Sequence, residues 1–256
     1  KARNSDTSKM LDLLTGIILD SRFRDKERLR GILTRHHAQI EANIRQNGMN
    51  YAITRAASRY SNRGMFNELT AGVEYYRFLT DLTGNFELKA DMLVTKLEEV
   101  ASVVFSKRNM IAQVTCSTED LSYFRKEFLL KTERFPESPA SVLPWKFPFI
   151  RLNEAILSAS QVQYVVQGYD FRKLGYSWNG KIHVLSQVIS TDWLQNQIRV
   201  MGGAYGGFCG FSPAGNVYFA SYRDPNLQET LLAYKKTPMY LDAFSADEPF
   251  MKRYII

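Results

Sequence analysis

The chain has 256 residues, of which 45% are hydrophobic, 13% aromatic and 23% charged. This is enough apolar material for one large or two ordinary cores, and it excludes intrinsic disorder. A membrane span is also excluded: the longest uncharged stretch, Val200–Tyr222, holds six glycines and a proline and reads as strands and turns. The net charge of +7 is uneven, because residues 20–63 carry ten Arg or Lys against four Asp or Glu. Such a basic face can bind nucleic acid or acidic lipid, although a solvated face is the more ordinary reading. Two cysteines without a CxxC pair, Cys116 and Cys209, exclude a disulfide scaffold and point to a reducing compartment. Lys1–Lys9 lacks both an apolar signal core and an initiator Met, which predicts an internal piece of a longer polypeptide.

Along the chain, Leu29, Leu33, His36, Ile40 and Ile44 recur at three- and four-residue steps and predict one long helix, punctuated by Asn47-Gly48. Phe66–Leu82 is expected to be a helix rich in aromatics. The spacing of Leu88, Met92, Leu93, Leu97, Val100 and Val104 predicts a second buried helix face. Met110, Ala112, Val114 and Cys116 alternate with Ile111, Gln113 and Thr115, as a strand does. Ser117 with Asp120 predicts a capped helix running to about Thr132. Phe135–Pro148 then carries four of the eight prolines and reads as an interdomain linker.

Beyond it the order changes. Val162, Tyr164 and Val166 predict a strand, and Lys181–Ile198 a helix. A hairpin is expected from Tyr205–Phe211 and Val217–Tyr222 around a turn at Ser212–Asn216. Asp224-Pro225 is expected to open a helix, and Ser245 with Glu248 to cap a last one that is still running at Ile256. The fold class that follows is α+β, in two parts: residues 1–134, mostly helical, and residues 161–256, with 135–160 as linker.

Chemistry-bearing residues are few. The three histidines, His36, His37 and His183, form no HxxEH or HxxxH ligand pair, so no metal site is expected within the chain. Gly210-Phe211-Ser212-Pro213 is not a nucleophile elbow, because Pro213 has no N–H to offer an oxyanion. Gly202, Gly203, Gly206 and Gly207 lack phosphate-loop spacing and leave two readings: a strand approached closely by another element, or one approached by a substrate backbone.

Arg199-Val-Met-Gly-Gly-Ala-Tyr205-Gly-Gly-Phe, Gly215-Asn216-Val-Tyr-Phe and Ser221-Tyr222-Arg223-Asp224-Pro225-Asn226 resemble the C-terminal half of the presequence-protease branch of the pitrilysin/insulinase zinc metallopeptidases. Asn50-Tyr51-Ala52, Arg55-Ala56-Ala57-Ser58 and Gly72-Val73-Glu74-Tyr75-Tyr76 are similar to the third domain of that branch. The resemblance implies a large endopeptidase of four α+β domains closing around a chamber, with zinc held by the N-terminal half and not by this chain. The chain would supply the latter part of domain three and the first part of domain four. Arg199 and Tyr205 would act as transition-state donors, and Gly202, Gly203, Gly206 and Gly207 as the surface against which substrate lies. The alternative for that pair is an Arg closing a helix end and a Tyr packed on a strand. Implied partners are peptide substrates and the N-terminal half of the same protein, without nucleic acid or membrane, in a bacterial cytoplasm or an organelle matrix. A catalytically silent scaffold subunit of the same family, or a nucleic-acid binder using residues 20–63, are the alternatives.

Overall fold

A computed structural model describes residues 3–137, 144–157 and 161–255. Its contacts divide the chain into two compact units, residues 1–35 with 81–144 and residues 36–80 with 145–256. Residues 138–143 and 158–160 of the linker expected at 135–160 lie outside the described residues.

The first unit is built on helices. Helix α1 (Thr7–Asp20) packs against α7 (Thr118–Thr132), with Leu11, Thr15, Thr132 and Phe135 buried and Lys131 paired to Asp12 at 2.7 Å. The Ser117 cap is present, its hydroxyl oxygen accepting the Asp120 N–H. The start of α2 (Lys26–Gln46) is tied to α6 (Phe86–Val104) by Lys26–Asp91 at 2.6 Å and Arg30–Glu87 at 2.7 Å. The buried face of α6 is a correction to the sequence reading. Phe86, Ala90 and Val94 are buried, whereas Leu88 is 87% exposed and Met92, Val100 and Val104 are also exposed. Both stripes repeat every three or four residues; the small Ala90 concealed the one that packs. The strand expected at 110–116 is also corrected. Those residues form no strand, because among the described residues no other backbone pairs with them.

In the second unit the later part of α2 carries its expected half-buried face of His36, Ile40 and Ile44. Helices α3 (Gly48–Ser58), α4 (Asn62–Ala71) and α5 (Val73–Gly84) follow. The single helix expected from Phe66 to Leu82 is thus two, broken at Gly72, where the buried Glu68 carboxylate accepts the Glu74 N–H and caps α5.

The sheet is antiparallel in the order β1-β3-β2, from β1 (Val166–Asp170), β2 (Gly206–Phe211) and β3 (Asn216–Tyr222). The first strand starts at Val166 rather than Val162; upstream, Gln163 makes one isolated bridge to Asp224. Helix α3 lies against β1 and β3. The core is formed with α8 (Lys181–Val188), the π-helix continuing from it (Ile189–Val200) and α9 (Gln228–Ala243), through Val165, Phe171, Ile189, Leu194, Ile198, Val217 and Tyr234. Burying each such aliphatic side chain is worth about 1.5–3 kcal/mol. Helix α9 begins three residues later than Asp224-Pro225 implied, because the Asp224 carboxylate is engaged elsewhere. Asp247, not Ser245, caps α10 (Glu248–Lys252), which ends in turns before Ile256 instead of running on. An α+β architecture is what the sequence implied.

Candidate functional site

The segment from Arg199 to Asn226 is folded by three local devices. The π-helix ends with Met201 N–H bonded to the Asn196 carbonyl, the i to i+5 pattern that loosens a helix at its end. The backbone then reverses at Gly203, whose φ of +77° suits glycine and whose N–H returns to the Arg199 carbonyl at 3.0 Å. Tyr205 N–H bonds the Tyr222 carbonyl at 2.9 Å and starts the hairpin. Arg199 and Tyr205 therefore bracket one tight turn. Both are exposed, Tyr205 by 62%, and among the described residues the Arg199 guanidinium makes no hydrogen bond or ion pair.

The four glycines divide by environment. Gly203 is exposed and Gly202 half-buried, whereas Gly206 and Gly207 are buried. What approaches Gly207 within the chain is the π-helix: a Cβ there would sit 2.9 Å from Ile198 Cδ1 and 3.0 Å from the Leu194 carbonyl oxygen. The outer edge of β2 is closed at Cys209. Its N–H donates to Ser190 Oγ at 2.9 Å, and its carbonyl accepts from Ser186 Oγ at 2.6 Å. Burial pushes the Cys209 thiol up to about 12, so it stays protonated and inert near neutrality. Ser212 serves the hairpin turn, its N–H bonded to the Asn216 carbonyl.

Behind the turn lies a bracing network that motif reading did not single out. Asp224 is fully buried. Its carboxylate accepts from Asn226 N–H at 2.8 Å and Thr230 Oγ1 at 2.7 Å, and the Asn226 amide donates to the Gly202 carbonyl. Backbone bonds between Asp224 and Gln163, at 2.9 and 3.1 Å, hold the same point to the sheet. Arg223, just before Asp224, is left-handed at φ 49°, a conformation costing a non-glycine residue about 1–2 kcal/mol. Its guanidinium stands 5.4 Å from the Tyr205 ring centre and 6.0 Å from that of Tyr222. An Arg between Tyr and Asp-Pro was visible in the sequence; its backbone conformation was not.

A second network serves the motif around Arg55. Its guanidinium meets Glu68 at 2.9 Å, Glu74 at 2.7 Å and Glu154 at 2.7 Å, and Arg59 joins Glu154 at 2.8 Å. The hydrogen bond to Arg55 is the main cause holding the Glu154 carboxyl down at about 2. Elsewhere in the basic segment, Arg24, Lys26, Arg30 and Arg45 pair with Glu98, Asp91, Glu87 and Glu41. Six of its ten cations are thereby neutralised by partners.

The histidines are held by hydroxyls and rings. His36 hydrogen-bonds the Tyr75 hydroxyl at 2.9 Å, His37 stacks on Tyr76 at 5.1 Å, and His183 meets the edge of Trp178 at 5.1 Å. Among the described residues no three His, Cys, Asp or Glu side chains converge as a metal site requires, so this chain's residues do not fit zinc and no step is routed through it. Among the described residues no helix is long and apolar enough to cross a membrane. The first unit holds a separate groove of about 880 Å³, lined by Leu11, Leu14, Ile18, Phe124, Phe128 and the 110–116 segment.

Two family models account for most of the chain. One, for the associated domain of a pitrilysin-type peptidase subfamily, matches residues 1–82; the other, "PreP C-terminal domain", matches residues 153–256. The chain belongs to the presequence-protease-like branch of the pitrilysin/insulinase peptidases. It is 32% identical over its whole length to Protein HypA of Clostridium perfringens, covering 26% of that protein. It is 29% identical over 96% of its length to presequence protease 1, chloroplastic/mitochondrial, of Arabidopsis thaliana, covering 23% of it. The mitochondrial presequence protease of Yarrowia lipolytica is 27% identical over 90% of the chain, which covers 24% of that relative. The chain thus spans about a quarter of the length of these curated relatives.

Proposed function

We propose that the chain is the non-zinc C-terminal portion of a zinc metalloendopeptidase that degrades short unfolded peptides. In this reading residues 1–134 belong to a third domain and 161–256 to a fourth, joined by the 135–160 linker. The partner is the N-terminal half of the same protein, which supplies the metal. The setting is the cytoplasm of a bacterium or the matrix of an organelle. The pairing of most cations in residues 20–63 speaks for a peptide partner rather than a nucleic acid.

The observation that carries the proposal is the exposed Arg199 and Tyr205 bracketing the braced Gly202-Gly203 turn. A guanidinium offers several fixed N–H donors and a phenol one O–H. Presented from a rigid turn, both can donate to a peptide carbonyl oxygen as it gains negative charge, at little cost in reorganisation. The exposed Gly203 leaves room for a substrate backbone beside them.

In the intact peptidase, Arg199→Ala is expected to lower kcat by about 10²- to 10³-fold, the scale of one lost oxyanion donor. Tyr205→Phe is expected to cost less, and zinc content is expected to stay unchanged in both. Steady-state kinetics on a short unfolded peptide check this; wild-type kcat/KM in both variants removes the assignment. An intact polypeptide that cleaves no peptide would be the silent scaffold subunit instead.

A further inference from the structure

We propose that Arg223 is a positioning residue for Tyr205, fixing the ring and directing the phenolic hydrogen toward substrate. The inference rests on the reading of Tyr205 as a donor given above, and it adds the residue that makes the phenol usable.

Tyr205 has little else to hold it. It sits between the Gly202-Gly203 turn and the Gly206-Gly207 pair, so its chain neighbours offer almost no side-chain surface, and the ring is mostly in solvent. Its ring contacts are Tyr222, at 6.4 Å between centres, and the Arg223 guanidinium at 5.4 Å. Tyr222 is in turn backed by Tyr164 at 5.6 Å. Arg223 therefore closes a short stack, Tyr164–Tyr222–Tyr205, from the open side.

The guanidinium reaches that place because of the backbone. Arg223 is the one non-glycine among the described residues with a positive φ, and the residue after it is locked on both sides. Asp224 bridges Gln163 through its backbone, and its buried carboxylate holds Asn226 and Thr230. A strained conformation kept in place by such bracing is the pattern found where a side chain must be aimed. The same bracing reaches Gly202 through the Asn226 amide, so the turn presenting Tyr205 and the strand end presenting Arg223 are one rigid piece.

The hydrogen count suits the role. A phenol has one hydrogen to donate and lone pairs to accept. A guanidinium N–H given to the phenolic oxygen leaves that hydrogen for a substrate oxygen, and donation into the oxygen strengthens the outgoing bond. The Tyr205 hydroxyl is the leading cause of the rise in the Arg223 pKa above the ordinary arginine value.

The test uses Arg223→Gly, which removes the guanidinium while admitting φ 49° without strain. In the intact peptidase kcat is expected to fall about 10- to 100-fold, the scale of a misplaced catalytic group, with KM little changed. Arg223→Gly combined with Tyr205→Phe should be no slower than Tyr205→Phe alone, since Arg223 acts through the hydroxyl. Arg223→Lys, which keeps the charge without the planar fork, should recover little. The thermal midpoint of the chain should not drop in Arg223→Gly. If Tyr205→Phe is slow and Arg223→Gly is not, or if the two effects multiply, the inference is overturned while the donor role of Tyr205 survives. A second readout needs no activity: in the chain with ring-labelled tyrosine, the Tyr205 NMR signals should shift in Arg223→Gly. Signals left in place overturn the inference whatever the kinetics give.

Discussion

Glu154 shows how much one side chain can connect. It reaches two arginines of the second unit, Arg55 and Arg59, across sequence separations of 99 and 95 residues. Its carboxyl is lowered from 4.5 to about 2, so the folded state holds the charge more readily than the unfolded chain does. The resulting stabilisation is present above pH 4.5 and is lost as the pH falls toward 2. Glu154→Gln is expected to lower the urea midpoint at pH 7 and to flatten its fall between those limits. A variant whose acid profile overlays the wild type would show that the ion pairs contribute nothing. Breaking the network from the other side should be harsher. Arg55 is the partner of the fully buried Glu68, and removing one member of such a pair costs about 3–5 kcal/mol. None of this was legible in the sequence. The Arg55 and Glu74 motif residues could be quoted, but ion pairs between distant positions leave no periodic trace.

At the level of elements, the hairpin was read to within a residue or so, because alternation and a turn rich in Ser, Pro, Gly and Asn act locally. The Ser117 cap was read for the same reason. Errors came where burial is decided by what lies opposite, as on α6, or where a carboxylate is claimed by tertiary partners, as at Asp224. The glycine run was seen, yet its two readings separate only in the structure: Gly207 is where the π-helix comes close, and Gly203 is where the turn opens outward. Gly207→Ala is accordingly expected to force β2 away from Leu194 and Ile198, at about 1–3 kcal/mol for an overpacked core. Chemical denaturation followed by Trp193 fluorescence checks it, since that indole is bonded to the Ala233 carbonyl in the same core. An unchanged midpoint would mean the interface yields freely.

For the whole molecule, the candidate site was legible to the extent that Arg199 and Tyr205 could be named, while Arg223, Asp224 and Asn226 acquire their roles only through folding. With no converging ligand set among the described residues, the purified chain is expected to hold substoichiometric zinc and to leave an unfolded peptide uncut. One tightly bound zinc per chain by metal analysis would overturn that expectation.

The 110–116 segment has a different consequence. Ile111 is 93% exposed, its neighbours through Cys116 are largely open, and among the described residues no backbone partner shields their amides. Open, unpaired chain of this kind is the conformation into which a protein must be drawn before another protease can cut it. On its own, the chain is thus already poised as prey at a stretch whose alternation reads as a strand.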